Sequence, residues 1–443
     1  MDLYKIDVTS NSFIHQQNET IEEEDINDIS SLINQIDDKI NMFKEAVDET
    51  DPNFQASLLF IKRATDNTEF LNVLGQKMKD SYEIIIIHIT NFLNQRSQQL
   101  YLNTLAFNIL NNLISASPNP REKYFSVTEP LLIQLYGFYD YFLDQFFIMP
   151  SDDYYPMLVE CLKLMCNFYE LINFIFDKDF NNMPDGYQAF FIKFVKNIKK
   201  IITLQNLNTD ALRITFISSS CLLQQNFQIY KYFVQEGFVD LCFQFMINLS
   251  PAFPEVANLL HWIAINDEPT INLFPKNYPE ILKSFLIDKP DFITESTIQF
   301  INEISISTPF AQKMIETPGF LDILLSLNQS FQIQSSSLEL FHSLVNYRFI
   351  YIEPYLKKLQ SFDIFFDIMD SLNPLIVRYV LKIICSITQR VSGLAKIPDY
   401  YNNLIQSREL IDRIEEFTDD EDEINSELAC LALSQIKYIN EEK

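Results

Sequence analysis

Apolar residues recur at helical intervals from Ile26 to Ile439, with short polar or proline-containing breaks between runs. The stretch Tyr230 to Asp267, YKYFVQEGFVDLCFQFMINLSPAFPEVANLLHWIAIND, shows the unit most clearly. Its pattern predicts a helix ending near Gly237, a second from Phe238 to about Asn248, a Ser-Pro break, and a third from Pro254. Gly237 falls where the chain must turn sharply between helices, and glycine tolerates the positive φ of such turns.

The second helix of this unit is echoed downstream. Phe238-VDLCFQFM is followed by Tyr278-PEILKSFL, Phe320-LDILLSL, Phe362-DIFFDIM and Glu409-LIDRIEEF, at steps of 40, 42, 42 and 47 residues. Two copies keep a Gly-Phe entry, at 236–238 and 318–320. A further apolar helix follows each echo, at 291–306, 333–347, 375–388 and 424–439. In the N-terminal half, second helices are expected to begin near Ile26, Tyr82, Pro130 and Tyr187. Their third helices fall at about 52–64, 97–115, 154–170 and 209–224, with insertions around 116–124 and 142–153. A three-helix period near 42 predicts an all-α, right-handed superhelical solenoid of about nine armadillo-type repeats over residues 26–440. Residues 1–25 read as a disordered acidic arm and 441–443 as a charged tail.

Composition agrees with this reading. Six glycines in 443 residues leave little for hairpin turns or a glycine-rich phosphate loop. The six cysteines (161, 166, 221, 242, 385 and 430) lie in apolar helical runs without any CxxC and read as reduced core residues. No cofactor or metal is expected, because the four histidines are scattered and no ligand cluster forms. Leu131 to Met149 is apolar but interrupted by Gln134, Asp140, Asp144 and Gln145, a buried-helix pattern instead of a membrane span. With no signal peptide visible, the chain reads as soluble and intracellular. The net charge of −27 is concentrated at the ends, −10 in residues 1–50 and −9 in residues 409–443. Nucleic acid is therefore not an expected partner, whereas basic proteins or peptides are.

Two stretches resemble importin-α, the adaptor family that carries nuclear-localisation-signal proteins. DINDISSLINQI, ETDPNFQASLLFIKRAT and SQQLYLNTLAFNILNNLIS, between Ile26 and Ser115, are similar in order and spacing to that family's first two repeats. PLIVRYVLKIICSITQR and NNLIQSRELIDRIEEFTDDEDEINSELACLALSQI, from Pro374 to Ile436, are similar to its last two. Nine units against the family's ten place a missing repeat between residues 187 and 238. The resemblance implies an adaptor that holds extended basic peptides on a concave face formed by third helices, in the cytoplasm and with access to the nucleus.

In that family the concave face carries tryptophan and asparagine pairs four residues apart. Asparagine can hold a peptide backbone as donor and acceptor, and tryptophan packs lysine stems and attracts their charge. By this resemblance Trp262 and Asn266 make a full rung. Asn112 takes the asparagine position of the second unit, with Asn108 at the tryptophan position, while Phe107/Asn111 is the alternative one residue back. If Thr297, Ile301 and Ile304 point inward, Gln299 and Glu303 occupy the next rung. His342/Asn346 or Glu339/Ser343 follow, and Lys382/Ser386 close the series as a lost rung. The family's basic importin-β-binding arm has no counterpart, since residues 1–50 contain only Lys5, Lys39 and Lys44. The basis for importin-β binding is therefore missing.

Two other features remain. Lys193, Lys196, Lys199 and Lys200 share one side of a helix, either as a solvated face or as a dock for an acidic partner. Ser218-Ser219-Ser220-Cys221 has no nearby histidine and no sharp-turn signature, so hydrolase chemistry is not indicated. Two functions fit the whole: an importin-α-like adaptor, or an armadillo scaffold with no role in nuclear import. Neither is an enzyme.

Overall fold

The computed structural model describes residues 29–45, 51–77, 79–95, 99–115, 125–148, 152–175, 185–204, 207–225, 227–266, 268–359, 363–370, 373–392, 401 and 408–441. Every regular element among them is helical. The acidic arm assigned to residues 1–25 lies outside the described residues, as do 442–443 and the expected insertion at 116–124. The chain divides into two compact units, residues 1–168 and 169–443.

The first unit contains α1 (Ile29–Glu45), α2 (Pro52–Asp66), α3 (Thr68–Lys77), α4 (Lys79–Asn94), α5 (Leu100–Ser115) and α6 (Phe125–Ile148), and α7 (Tyr155–Ile175) begins in it. Here α1 packs on α2 and α4 on α5, while α2 lies along α5 and α4 along α6. Paired helices thus stack on equivalent helices of the next pair. Asp51 caps α2 by accepting from the Asn53 N–H at 2.8 Å, and Pro52 opens the helix with its φ already set. One expectation fails in this unit. The insertion placed at 142–153 is helical as far as Ile148, because Phe142, Leu143 and Phe146 continue the buried stripe of α6. That helix also starts at Phe125 instead of near Pro130, so the proline sits inside it and forgoes one backbone hydrogen bond.

The second unit contains α8 (Asp185–Ile202), α9 (Thr209–Gln225), α10 (Tyr230–Gln235), α11 (Phe238–Ile247), α12 (Phe253–Ile265), α13 (Tyr278–Ser284), α14 (Asp291–Ile304), α15 (Thr308–Glu316), α16 (Phe320–Ser326), α17 (Phe331–Leu356), α18 (Asp363–Met369), α19 (Pro374–Ser392), α20 (Arg408–Glu416) and α21 (Glu423–Glu441). The helices α9, α12, α14, α17, α19 and α21 stack side by side in chain order. These are the third helices anticipated from the periodicity. On their other side α8, α11, α16, α18 and α20 each pack against the third helix that follows them. Since α9 lies directly on α12, no further helix pair stands between those two units of the repeat.

Local chemistry explains the turns. Gly237 (φ 77°) and Gly319 (φ 76°) both adopt the left-handed conformation just before Phe238 and Phe320, which are fully buried. An added methyl at either glycine would meet nothing within 4 Å, so the torsion and not a lack of room demands glycine. After α11 the left-handed position is held by Leu249 (φ 52°), and the Ser250 N–H reaches back to Phe245 O at 3.1 Å. The core between layers is aromatic, as in the stacked rings of Tyr278 and Phe310, whose centroids are 5.3 Å apart.

One helix departs from the expected 333–347. It runs on to Leu356 across a kink at Arg348 (φ −131°, ψ 29°). The Arg348 guanidinium donates to Ser305 O at 3.1 Å and to Ile306 O, at the end of α14. The kink therefore coincides with an arginine that closes the C-terminus of the neighbouring third helix, where cations are favoured.

Candidate functional site

The outward side of the third-helix row in the second unit carries most of the residues proposed for peptide binding. On α14, Thr297, Ile301 and Ile304 are buried as the register requires, which leaves Gln299 exposed and Glu303 half-buried. On α12, Trp262 and the terminal Asn266 are both half-buried. On α17, His342 and Asn346 are half-buried, as is Ser343, and Glu339 is exposed. On α19, Lys382 is half-buried and Ser386 buried.

Three of the proposed pairs close on themselves along their own helices. The Asn266 amide donates to Trp262 O at 2.7 Å, and the Gln299 amide donates to Glu303 at 3.0 Å. The Asn346 amide lies 2.9 Å from His342 Nε2, and since an amide N–H donates there, Nε2 accepts. These amides are therefore partly used inside the protein and are not simply presented to solvent.

The structure also joins neighbouring rungs. His261 Nδ1 lies 3.0 Å from Glu303 Oε2, a contact that links α12 to α14 without the direction of a good hydrogen bond. The His261 ring meets Trp262 edge to face, with centroids 5.1 Å apart. Trp262 Nε1 is buried with no hydrogen-bond partner, so the indole contributes surface and π-face more than a donor. Burial pushes the Glu303 carboxyl upward, but contact with His261, the charge on that ring and the Gln299 amide outweigh it. The group is held below the usual carboxylate value. Between α17 and α19, Ser386 Oγ lies 3.3 Å from His342 Nε2. Burial, reinforced by the charge of Lys382, pushes His342 below its ordinary value and keeps the ring neutral.

Three carboxylates on this side are held by neutral groups or by histidine. Glu295 accepts from the Gln332 amide at 3.0 Å, Glu303 is held as above, and Glu339 accepts from the Tyr379 hydroxyl at 3.3 Å. Among the described residues no lysine or arginine pairs with any of them. By contrast Glu255, on α12, is taken by Arg213 at 2.7 Å.

In the first unit the two registers separate clearly. Phe107 and Asn111 are buried, and the Asn111 amide donates inward to Glu160 O at 3.0 Å and Glu160 Oε2 at 2.8 Å. Asn108 and Asn112 are half-buried on the other side, where Asn112 donates to Asp66 at 3.0 Å and reaches Asn108 at 3.4 Å.

Of the other features, Lys193, Lys196 and Lys200 are exposed on α8, and Lys199 lies 3.5 Å from Glu236. Ser218, Ser219 and Ser220 are buried and bond back to carbonyls one turn earlier in α9. Cys161, Cys242 and Cys385 are buried, and burial raises the Cys385 thiol to about 11. Cys430 breaks the core expectation, because it faces outward on α21. Among the described residues no group of histidine, cysteine and carboxylates could hold a metal, and no helix is long and apolar enough to cross a membrane.

The sequence did not single out His261, Glu295, Arg348 or Arg390. The available signal was complementarity one repeat apart, since Arg213 and Glu255, Arg378 and Asp422, and Arg413 and Asp370 all pair at separations of 42 to 44 residues.

No family model matches the chain, and no curated protein matches it. Among solved structures, an engineered protein aligns over 91% of this chain and 99% of its own at 10% identity, with a TM-score of 0.53. A designed armadillo repeat protein in complex with the peptide (KR)4 aligns over 56% of this chain and 99% of its own at 15% identity, with a TM-score of 0.42. A second designed armadillo repeat protein covers 56% of this chain at 13% identity, with a TM-score of 0.41. The chain is thus similar in fold to the first of these.

Proposed function

We propose that this chain is a non-enzymatic, armadillo-type protein-binding scaffold whose docking face is the row of third helices in its second unit. The observation that carries this reading is the row itself. Four stacked helices, α12, α14, α17 and α19, turn half-buried or exposed polar and aromatic side chains to one side and fix several of them by contacts one repeat away. Such prearranged side chains lose less freedom when a partner docks. The partners are proteins or peptides, with neither nucleic acid nor membrane among them. The Ser386–His342 contact serves packing, since Ser386 is buried between two helices and His342 already accepts from Asn346.

The scaffold reading is tested by placing a photoreactive amino acid at Gln299, which is exposed at the centre of the row. Adducts to a defined protein set, lost when the same probe is moved to the opposite layer at Lys196, support it. Equal capture from both positions sinks it.

A second reading is the importin-α-like grip on extended basic peptides, and Glu295, Glu303 and Glu339 favour it. Three carboxylates that no lysine or arginine engages among the described residues, Glu303 being met by His261, would suit lysine or arginine side chains. The self-bonded amides of Asn266, Gln299 and Asn346 weigh against it, because a peptide backbone would have to displace those bonds. Transport into the nucleus is a further step that this reading does not require.

A further inference from the structure

One edge of the second unit carries a feature that the docking face above does not use. Ile265, Ile306 and Tyr347 lie at 41-residue steps, at the C-terminal ends of three successive third-helix segments. They are 42%, 81% and 75% exposed, and Ile350, in the turn after Tyr347, is 73% exposed. Single exposed apolar residues need no explanation, but a row recurring with the repeat does. Arg348 lies beside Ile306 and Tyr347, bonded to the carbonyls of both, and Arg390 donates to Asn346 O at 2.6 Å. Among the described residues neither arginine pairs with a carboxylate, in a chain whose net charge is −27.

We propose that Ile265, Ile306 and Tyr347, with Arg348 beside the last two and Arg390 next to the end of the row, dock an extended segment of a partner protein. Apolar side chains recur in it at every third position, separated by carboxylates. The spacing follows from geometry. Packed helices lie about 8–10 Å apart, and an extended chain in the polyproline II conformation rises about 3.1 Å per residue with three residues per turn, so every third side chain returns to the same face one repeat further on. The charge follows from the two guanidinium groups, which meet only carbonyl oxygens here and have N–H donors suited to carboxylates. This surface is distinct from the Glu295, Glu303 and Glu339 face and has the opposite charge preference.

The test uses the full chain and a fluorescently labelled synthetic peptide of repeated Leu-Glu-Ser triplets, followed by anisotropy. Binding is expected, and it should weaken at least about tenfold in Ile306→Asp/Tyr347→Asp, equivalent to losing one buried apolar side chain. Both substitutions are at exposed positions, and unchanged helical circular dichroism checks the fold. Arg390→Glu should also weaken the interaction, whereas Glu295→Gln/Glu303→Gln/Glu339→Gln should leave it intact. Equal binding of Leu-Lys-Ser triplets or of alternating Leu-Glu peptide overturns the proposal. So does a dimer of the chain that Ile306→Asp/Tyr347→Asp dissociates, because the row would then belong to a second copy.

Discussion

His261 Nδ1 and Glu303 Oε2 lie 3.0 Å apart across the junction of α12 and α14. Because the carboxyl is held below its ordinary value of 4.5, its contribution to stability is present above that value and lost as pH falls through the lowered one. Glu303→Gln removes this dependence. Thermal melts of wild type and variant should differ at neutral pH by the equivalent of no more than about 1 kcal/mol, as for other solvent-accessible pairs. The two should converge in acid. A gap that widens below pH 4.5 would contradict the assigned sign.

His342 acts at higher pH. Its folded value lies below the ordinary 6.5, so the fold prefers the neutral ring and its stabilising effect is complete above 6.5. The unfolded chain takes up a proton first as pH falls, and stability declines until the folded ring also titrates. His342→Gln should flatten that part of the melting-temperature profile and leave the more acidic Glu303 part unchanged.

Neighbouring asparagines should behave very differently. Asn111→Ala removes two donors from buried Glu160 and should cost about 1–3 kcal/mol in urea unfolding. Asn112→Ala, whose Asp66 partner is on the surface, should stay within about 0.5 kcal/mol. Equal costs would mean that the register of α5 is wrong.

The two glycine entries give a backbone test. Gly237→Ala and Gly319→Ala should each destabilise by about 1–2 kcal/mol, because alanine resists the left-handed conformation. Asparagine at the same positions should cost less, since it visits that region more readily.

These contrasts show what the sequence could reveal. Helix runs were legible because each buries a continuous apolar stripe, and Gly237 and Gly319 announced their turns chemically. The end of α6 was misplaced where the repeat spacing put an insertion at 142–153, although the apolar run to Met149 already read as a buried helix and Phe142 and Phe146 are core residues. At the candidate site, i,i+4 spacing found which residues share a face, as with Gln299 and Glu303. It could not reveal that each amide would bond to its own neighbour, nor that His261 would claim Glu303. Those outcomes depend on rotamers and on contacts about 42 residues distant, where helical periodicity carries no information.

The central claim is that partners dock on the third-helix row of the second unit. There Glu295, Glu303 and Glu339 have no lysine or arginine partner among the described residues, and so favour basic side chains whatever backbone carries them. Trp262, the chain's sole tryptophan, lies on that row. The most direct measurement is its fluorescence during titration with a lysine- and arginine-rich peptide at low ionic strength, where charge attraction is strongest. The account predicts a saturable change in emission that salt weakens and that Glu295→Gln/Glu303→Gln/Glu339→Gln reduces at least about tenfold in apparent affinity, a loss of about 1.4 kcal/mol. Unchanged Trp262 emission at low ionic strength, or a response that the triple variant leaves intact, would contradict it.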